Sequence, residues 1–173
     1  MFLLNLYLII SILISIGFKW LFPEFLIHNR RKKTKILFPI SKKYFILFYL
    51  IGSIVSFKSF FCLYTLRRLF ETLLYFDKIR SSCNIFHLIH GIIYYFLLGI
   101  YFFYNTNYNN QLFIYLNILQ SISHFLIYYK QCYNYSHYLI ELLIYINFFI
   151  LNQTITTFLL LINVICFICL SIN

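Results

Sequence analysis

Apolar residues fill most of the chain, in runs that short polar segments separate. Six runs approach the length of about 20 residues that a helix needs to cross a bilayer. They are Phe2 to Trp20, Tyr44 to about Leu66, Ile85 to Tyr104, Leu112 to Tyr129, Tyr138 to Leu151 and Thr157 to Ile172. The pattern predicts an all-α fold, a polytopic transmembrane helical bundle of about six spans, formed by a single membrane-embedded domain over residues 1–173.

Composition supports a membrane location. The 173 residues are 62% hydrophobic and only 10% charged, whereas soluble domains carry about 25% charged residues. The whole chain has a net charge of +10, and half of its lysines and arginines lie between Arg30 and Lys43. A short basic loop between apolar spans is typical of the cytoplasmic side, so residues 28–43 are expected to be a basic cytosolic loop. Membrane lipids with anionic headgroups, rather than nucleic acid, are its expected partners.

This loop creates a conflict in topology. If residues 28–43 are cytosolic, a single crossing from Tyr44 to Leu66 puts four basic residues on the lumenal side, which the positive-inside rule disfavours. They are Arg67, Arg68, Lys78 and Arg80. A run of this length cannot cross the membrane twice. Either this stretch turns back on itself, or a segment is missing.

The segment from Tyr64 to Tyr75 places two arginines and a glutamate inside an apolar run. Charges in an apolar helix are costly unless they pair or face a polar cavity. At helical spacing Glu71 lies one turn from both Arg67 and Arg68. One ion pair is expected to leave the second guanidinium available to a phosphate or carboxylate. The alternative is an arginine pair that extends to lipid headgroups.

A second polar helix face surrounds Glu141. His137, Tyr138 and Tyr145 lie three or four residues from it and share its face. A carboxyl group, a phenol and an imidazole in a low-dielectric setting can serve as proton donors. The alternative is a buried glutamate that holds two helices together.

Histidines give two further candidates. His87 and His90 have the spacing of metal ligands, but too few other histidines are available for a membrane metal centre, so no metal is expected. His124 is flanked by serines within a predicted span and is a better site candidate. A hydrogen-bonded contact between helices is the alternative for His124.

Two stretches resemble motifs of a known family. Ser41 to Tyr49 is similar to Pro-Lys-x-x-Phe-x-His-Phe-Tyr, with Ser41 and Leu47 where that pattern has proline and histidine. Tyr64 to Glu71 is similar to His-x-x-Arg-Arg-x-x-Glu, with Tyr64 in place of the histidine.

A third stretch completes the resemblance. Asn84 to Gly99 continues the similarity, and Ser136 to Tyr145 is similar to Pro-Asn-Tyr-x-x-Glu-x-x-x-Tyr, with His137 where asparagine is usual. In this order the elements resemble the steroid 5-alpha-reductase-like family of membrane enzymes, in its polyprenol reductase branch. Members continue past the last span into a basic tail, so the chain is expected to be a shortened member.

The resemblance implies a multi-pass enzyme of the endoplasmic reticulum membrane. Such an enzyme uses NADPH to reduce the alpha-isoprene double bond of a polyisoprenoid lipid, polyprenol or polyprenal, in dolichol synthesis for protein N-glycosylation. The implied catalytic residues are Glu141 and Tyr138. The residues expected on the cofactor side are Arg67, Arg68, Glu71, His124 and His137.

Two other functions stay open. The chain could be a non-catalytic membrane protein that retains the reductase fold. It could also be a lipid-modifying transferase, such as a prenyl-cysteine methyltransferase that uses S-adenosylmethionine.

Overall fold

The computed structural model describes residues 1–21, 38–79, 82–105, 111–130 and 135–172, with their side chains except those of 18–21 and 170–172. This part of the chain is mostly helical, as predicted. Its α-helices are α1 (Phe2–Leu21), α2 (Ile46–Val55), α3 (Phe60–Leu74), α4 (Ile85–Tyr104), α5 (Gln111–Tyr129), α6 (Ser136–Asn152) and α7 (Ile155–Ile172). Two short strands, β1 (Pro39–Ser41) and β2 (Ser82–Asn84), and two 3₁₀ turns, Lys42–Phe45 and Phe76–Lys78, complete it.

The chain divides into two compact units. The middle unit comprises Ile36–Asn109, and the terminal unit comprises Met1–Lys35 together with Asn110–Asn173. The prediction of a single domain stays a prediction. Residues 28–37 of the predicted basic loop lie outside the described residues.

Two of the predicted spans have the length and apolarity to cross a membrane. They are α4, which begins and ends where the sequence pattern predicted, and α5. Three further apolar stretches, Phe2–Gly17, Ser136–Asn152 and Ile155–Cys169, are shorter within the described residues.

The predicted span from Tyr44 to Leu66 is wrong as a single helix. It is broken into α2 and α3, which pack against each other around a turn at residues 56–59. Hydroxyl groups satisfy the backbone at the break: Ser56 Oγ donates to the Gly52 carbonyl at 2.6 Å, and Ser59 Oγ donates to the Ser56 carbonyl at 2.9 Å. Since α2 has ten residues, it is only about 15 Å long. The chain therefore turns back, as one of the two sequence alternatives required.

Helix α4 runs alongside this hairpin at close range. A Cβ atom on Gly91 would lie 2.6 Å from the ring of Phe48, and one on Gly52 would lie 3.0 Å from Thr65 Cγ2. Because glycine has no side chain, the three helices can approach closely at these positions, as helices do at small residues in membrane helix pairs. Phe61 fills the centre, stacked on Phe102 at 4.8 Å between ring centroids.

The two strands join the starts of α2 and α4. They pair antiparallel, with Pro39 opposite Asn84 and Ser41 opposite Ser82. The Asn84 side chain caps α4 by accepting a hydrogen bond from the Phe86 amide. The strands therefore hold both helix starts at one end of the middle unit.

Polar contacts tie the helices of the terminal unit together. Thr156 on α7 donates to Asn5 on α1 at 2.7 Å, and Asn163 on α7 donates to Ser11 on α1 at 2.8 Å. Leu8 lies between these contacts on α1 and is fully buried. Hydrogen bonds of this kind fix the register of apolar helices, whose packing alone is weakly directional.

Candidate functional site

Glu71 bridges both arginines of α3. Its Oε1 accepts from Arg67 Nη1 at 2.7 Å, and its Oε2 accepts from Arg68 Nη1 at 2.9 Å. The expectation that only one of the two guanidinium groups pairs with Glu71 is therefore wrong. Helical spacing places both arginines within reach of one carboxylate, and each oxygen takes one of them. The three side chains together carry a charge of +1.

Tyr49 of α2 accepts hydrogen bonds from the Nε and Nη2 atoms of Arg68. Its Oη accepts from Arg68 Nη2 at 2.9 Å and from Nε at 3.2 Å. Tyr49 is 96% buried, while 23% of the Arg68 side chain stays accessible. Tyr49 ends the first resembling stretch and Arg68 belongs to the second, so the α2–α3 hairpin joins the two motifs. Sequence reasoning missed this role of Tyr49, because the two residues are 19 positions apart.

Tyr64 lies beneath the other arginine. The centre of the Arg67 guanidinium lies 5.1 Å from the Tyr64 ring centroid, a cation–π distance. Tyr64 stands where the family pattern has histidine, and its ring gives the guanidinium an aromatic face. Only 11% of the Arg67 side chain is accessible, so Arg68 is the more accessible of the two cations.

The surroundings keep Arg68 charged. Burial by itself would lower the pKa of Arg68, but the oxygens of Tyr49 and Glu71 outweigh it and raise the pKa well above the ordinary value. The cluster therefore presents a permanent positive charge, and 23% of the Arg68 side chain is accessible.

Aromatic residues of α4 support the cluster from behind. Tyr95 stacks on Phe48 at 5.0 Å and meets the Tyr49 ring edge-on at 5.2 Å. His90 stacks on Tyr94 at 5.8 Å. Within the residues that the structure describes, no three His, Cys, Asp or Glu side chains come together as metal ligands.

The other candidate residues meet between α5 and α6. Ser123 and Ser136 share a hydrogen bond of 2.8 Å, and the His124 and His137 rings are 5.8 Å apart. The His137 and Tyr138 rings are 3.9 Å apart. The structure thus brings His124 close to His137, although sequence reasoning selected His124 separately from His137 and Tyr138.

The register of these two helices locates Glu141. Phe113 packs on Phe148 at 5.2 Å, and this contact and the serine pair fix an antiparallel alignment. In that alignment Gln120 lies at the level of Glu141. Gln120 is 99% buried and Glu141 is half-buried. Sequence reasoning missed Gln120; the signal was its position one turn before His124 on the same face.

The candidate residues form two separate groups. Arg67, Arg68 and Glu71 belong to the middle unit, whereas His124, His137, Tyr138 and Glu141 belong to the terminal unit. No family model, curated protein or solved structure matches the chain.

Proposed function

We propose that this chain is a multi-pass membrane reductase of the endoplasmic reticulum that uses NADPH to reduce the alpha-isoprene double bond of a polyprenol or polyprenal. The product would enter dolichol synthesis for protein N-glycosylation. One observation carries the proposal: Tyr49, Arg68, Glu71 and Arg67 form one hydrogen-bonded cluster built from two of the three stretches that resemble this family.

The cluster has properties that suit a nucleotide phosphate. It carries a single positive charge, its most accessible cation is fixed by three hydrogen bonds, and its aromatic support limits rearrangement. A fixed guanidinium binds phosphate with less loss of side-chain entropy than a mobile one. Arg67, Arg68 and Glu71 would therefore hold the cofactor's phosphates, with Glu71 orienting both arginines. NADPH, when bound, supplies the hydride.

The α5–α6 group suits the reacting end of the lipid. Reduction adds a hydride to the β-carbon of a conjugated aldehyde and a proton to its α-carbon, while negative charge develops on the carbonyl oxygen. A hydrogen-bond donor near that oxygen stabilises the charge. Tyr138 and Glu141 would supply the donor and the proton, and His124 and His137 would position them.

A non-catalytic role has one observation in its favour. Both oxygens of Glu71 and three nitrogens of Arg68 are used within the cluster, as they would be in a purely structural tie between α2 and α3. The two functions predict different binding results.

Purified protein in lipid nanodiscs tests the proposal. We expect saturable NADPH binding and conversion of polyprenal to a product two mass units heavier. Arg68→Ala removes a charged hydrogen-bond donor, which corresponds to a loss of about 1.5–3 kcal/mol, and so raises the NADPH dissociation constant about tenfold or more. Lys58→Gln, which removes a cation from the turn at residues 56–59, is the matched control and should bind normally.

The catalytic role proposed for Glu141 needs a separate measurement. Glu141→Gln should lower turnover at saturating NADPH by about 100-fold or more, as the loss of a general acid does, with the dissociation constant unchanged. Asp77→Asn, an exposed carboxylate on the second 3₁₀ turn, is the control. If the intact protein binds no NADPH, the reductase proposal is wrong and the structural role stands.

A further inference from the structure

One end of the middle unit gathers lysines and exposed aromatic rings. We call it the basic edge; it consists of residues 38–45, 76–78 and 82–86. Its cations are Lys42, Lys43 and Lys78, and Asp77 is its one carboxylate. Its exposed rings are those of Phe38, Tyr44, Phe76 and Phe86.

Contacts within the basic edge interleave the two kinds of side chain. Lys43 Nζ lies 4.2 Å from the centroid of the Phe76 ring. Phe38 meets Phe86 edge-on at 6.4 Å, and these rings are 63% and 52% exposed. Exposed phenylalanine rings together with lysines are typical of surfaces that lie in the membrane–water interface.

The backbone fixes this arrangement. Phe38 has φ of 50°, a left-handed conformation that is strained for a residue with a large side chain. Its carbonyl accepts the Ile85 amide at 3.1 Å, and the β1–β2 pairing follows directly. The strained residue therefore positions an exposed ring next to the start of α4, whose N-terminal dipole adds positive potential.

The opposite end of the unit provides a contrast. Among the described residues of the middle unit, the turn at 56–59 carries one cation, Lys58, whose Nζ lies 5.4 Å from the Phe57 ring and 5.6 Å from the Phe103 ring. Both ends thus combine a lysine with aromatic rings, but the basic edge has three lysines.

We propose that the basic edge binds the anionic headgroups of the lipid bilayer, and that the opposite end has no such preference. The aromatic rings set its depth at the interface, and the lysines select negative charge. Each lysine near an anionic surface contributes about fivefold in affinity. The inference rests on the membrane location proposed above but not on the reductase chemistry.

Tryptophan quenching by brominated lipids tests this inference on the full chain. The native tryptophan is removed with Trp20→Phe, and a reporter is placed by Phe86→Trp at the basic edge or by Phe57→Trp at the opposite end. Each protein is reconstituted with brominated phosphatidylcholine or brominated phosphatidylserine. The ratio of quenching constants gives the preference for the anionic lipid at each end.

We expect a preference for phosphatidylserine of at least about fivefold at position 86, the contribution of a single lysine, and a ratio near one at position 57. The double variant Lys42→Gln/Lys43→Gln should reduce the preference at position 86 at least threefold, and Lys58→Gln should leave it unchanged. Raising the salt to about 0.5 M should also reduce it, because exposed charges are screened. If circular dichroism shows that the double variant has lost helicity, the salt dependence alone tests whether the lysines cause the preference.

Two results would overturn the inference in distinguishable ways. Equal quenching by both lipids at both reporters, or a preference that survives the lysine substitutions and salt, would show a membrane location without recognition of charge. No quenching of either reporter would refute the membrane location itself, and with it the reductase proposal.

Discussion

Replacing Tyr49 by phenylalanine tests the hydrogen-bonded cluster that the whole functional argument depends on. The change removes one oxygen and keeps the ring, which packs on Phe48 at 4.5 Å and on Tyr95 at 5.2 Å. The lost interactions include the two hydrogen bonds from Arg68. Because the ring contacts remain, the variant separates the polar cluster from the aromatic core behind it.

The structure sets the size of the effect. Hydrogen bonds to a charged group contribute about 1.5–3 kcal/mol each, but the bond from Arg68 Nε is 3.2 Å long and weaker than the 2.9 Å bond from Nη2. With 23% of the Arg68 side chain accessible, water replaces part of what is lost. Because of the long bond and the access of water, we expect the free energy of unfolding to fall by about 2 kcal/mol, which is less than the full contribution of two such bonds.

Reversible unfolding in mixed detergent and SDS micelles, followed by circular dichroism, measures this change. Tyr44→Phe is the matched control, since Tyr44 belongs to the same segment and is 53% exposed; its unfolding free energy should stay within about 0.5 kcal/mol of the native value. A double-mutant cycle with Arg68→Met isolates the pair and should give a coupling of about 1.5 kcal/mol. A coupling below about 0.5 kcal/mol would refute the cluster as described.

Two other substitutions test the packing of each unit. Gly91→Ala should lower the unfolding free energy by about 1–3 kcal/mol, because its Cβ would lie 2.6 Å from the Phe48 ring; Gly17→Ala, with nothing within 4 Å, should be neutral or stabilising in the same SDS titration. Asn163→Ala should lower the unfolding free energy by about 0.6–1.7 kcal/mol, the range for hydrogen bonds between membrane helices. In a double-mutant cycle with Ser11→Ala, the coupling free energy should account for most of that loss. An additive pair would contradict the 2.8 Å contact.

The sequence was informative wherever contacts are local. The salt bridges from Glu71 to Arg67 and Arg68 follow from helical spacing, and so does the face that His137 shares with Glu141. What local spacing could not settle is the distribution of bonds: nothing in the order of residues shows that one carboxylate takes both guanidinium groups. Bidentate sharing depends on side-chain rotamers, which the surrounding rings determine.

Contacts between helices were beyond the sequence pattern. Tyr49 meets Arg68 only because the chain reverses at residues 56–59, and this reversal is hidden in the average hydropathy of the run from Tyr44 to Leu66. The registration of Gln120 with Glu141 likewise depends on how α5 packs against α6. Such contacts are set by shape and close approach, as at Gly52, rather than by periodicity.

The conflict in charge topology nevertheless indicated correctly that the stretch from Tyr44 to Leu66 turns back. A straight span would have separated Lys42 and Lys43 from Arg67 and Arg68, against the rule that basic residues collect on one side. In the structure α3 returns antiparallel to α2, and the bond between Tyr49 and Arg68 places the arginines within two turns of the lysine pair. In the membrane location that we propose, one side can then hold all four cations. The same reversal that satisfies the charge rule also assembles the cluster proposed to bind the nucleotide, so a variant that lengthens the turn at residues 56–59 should disturb both.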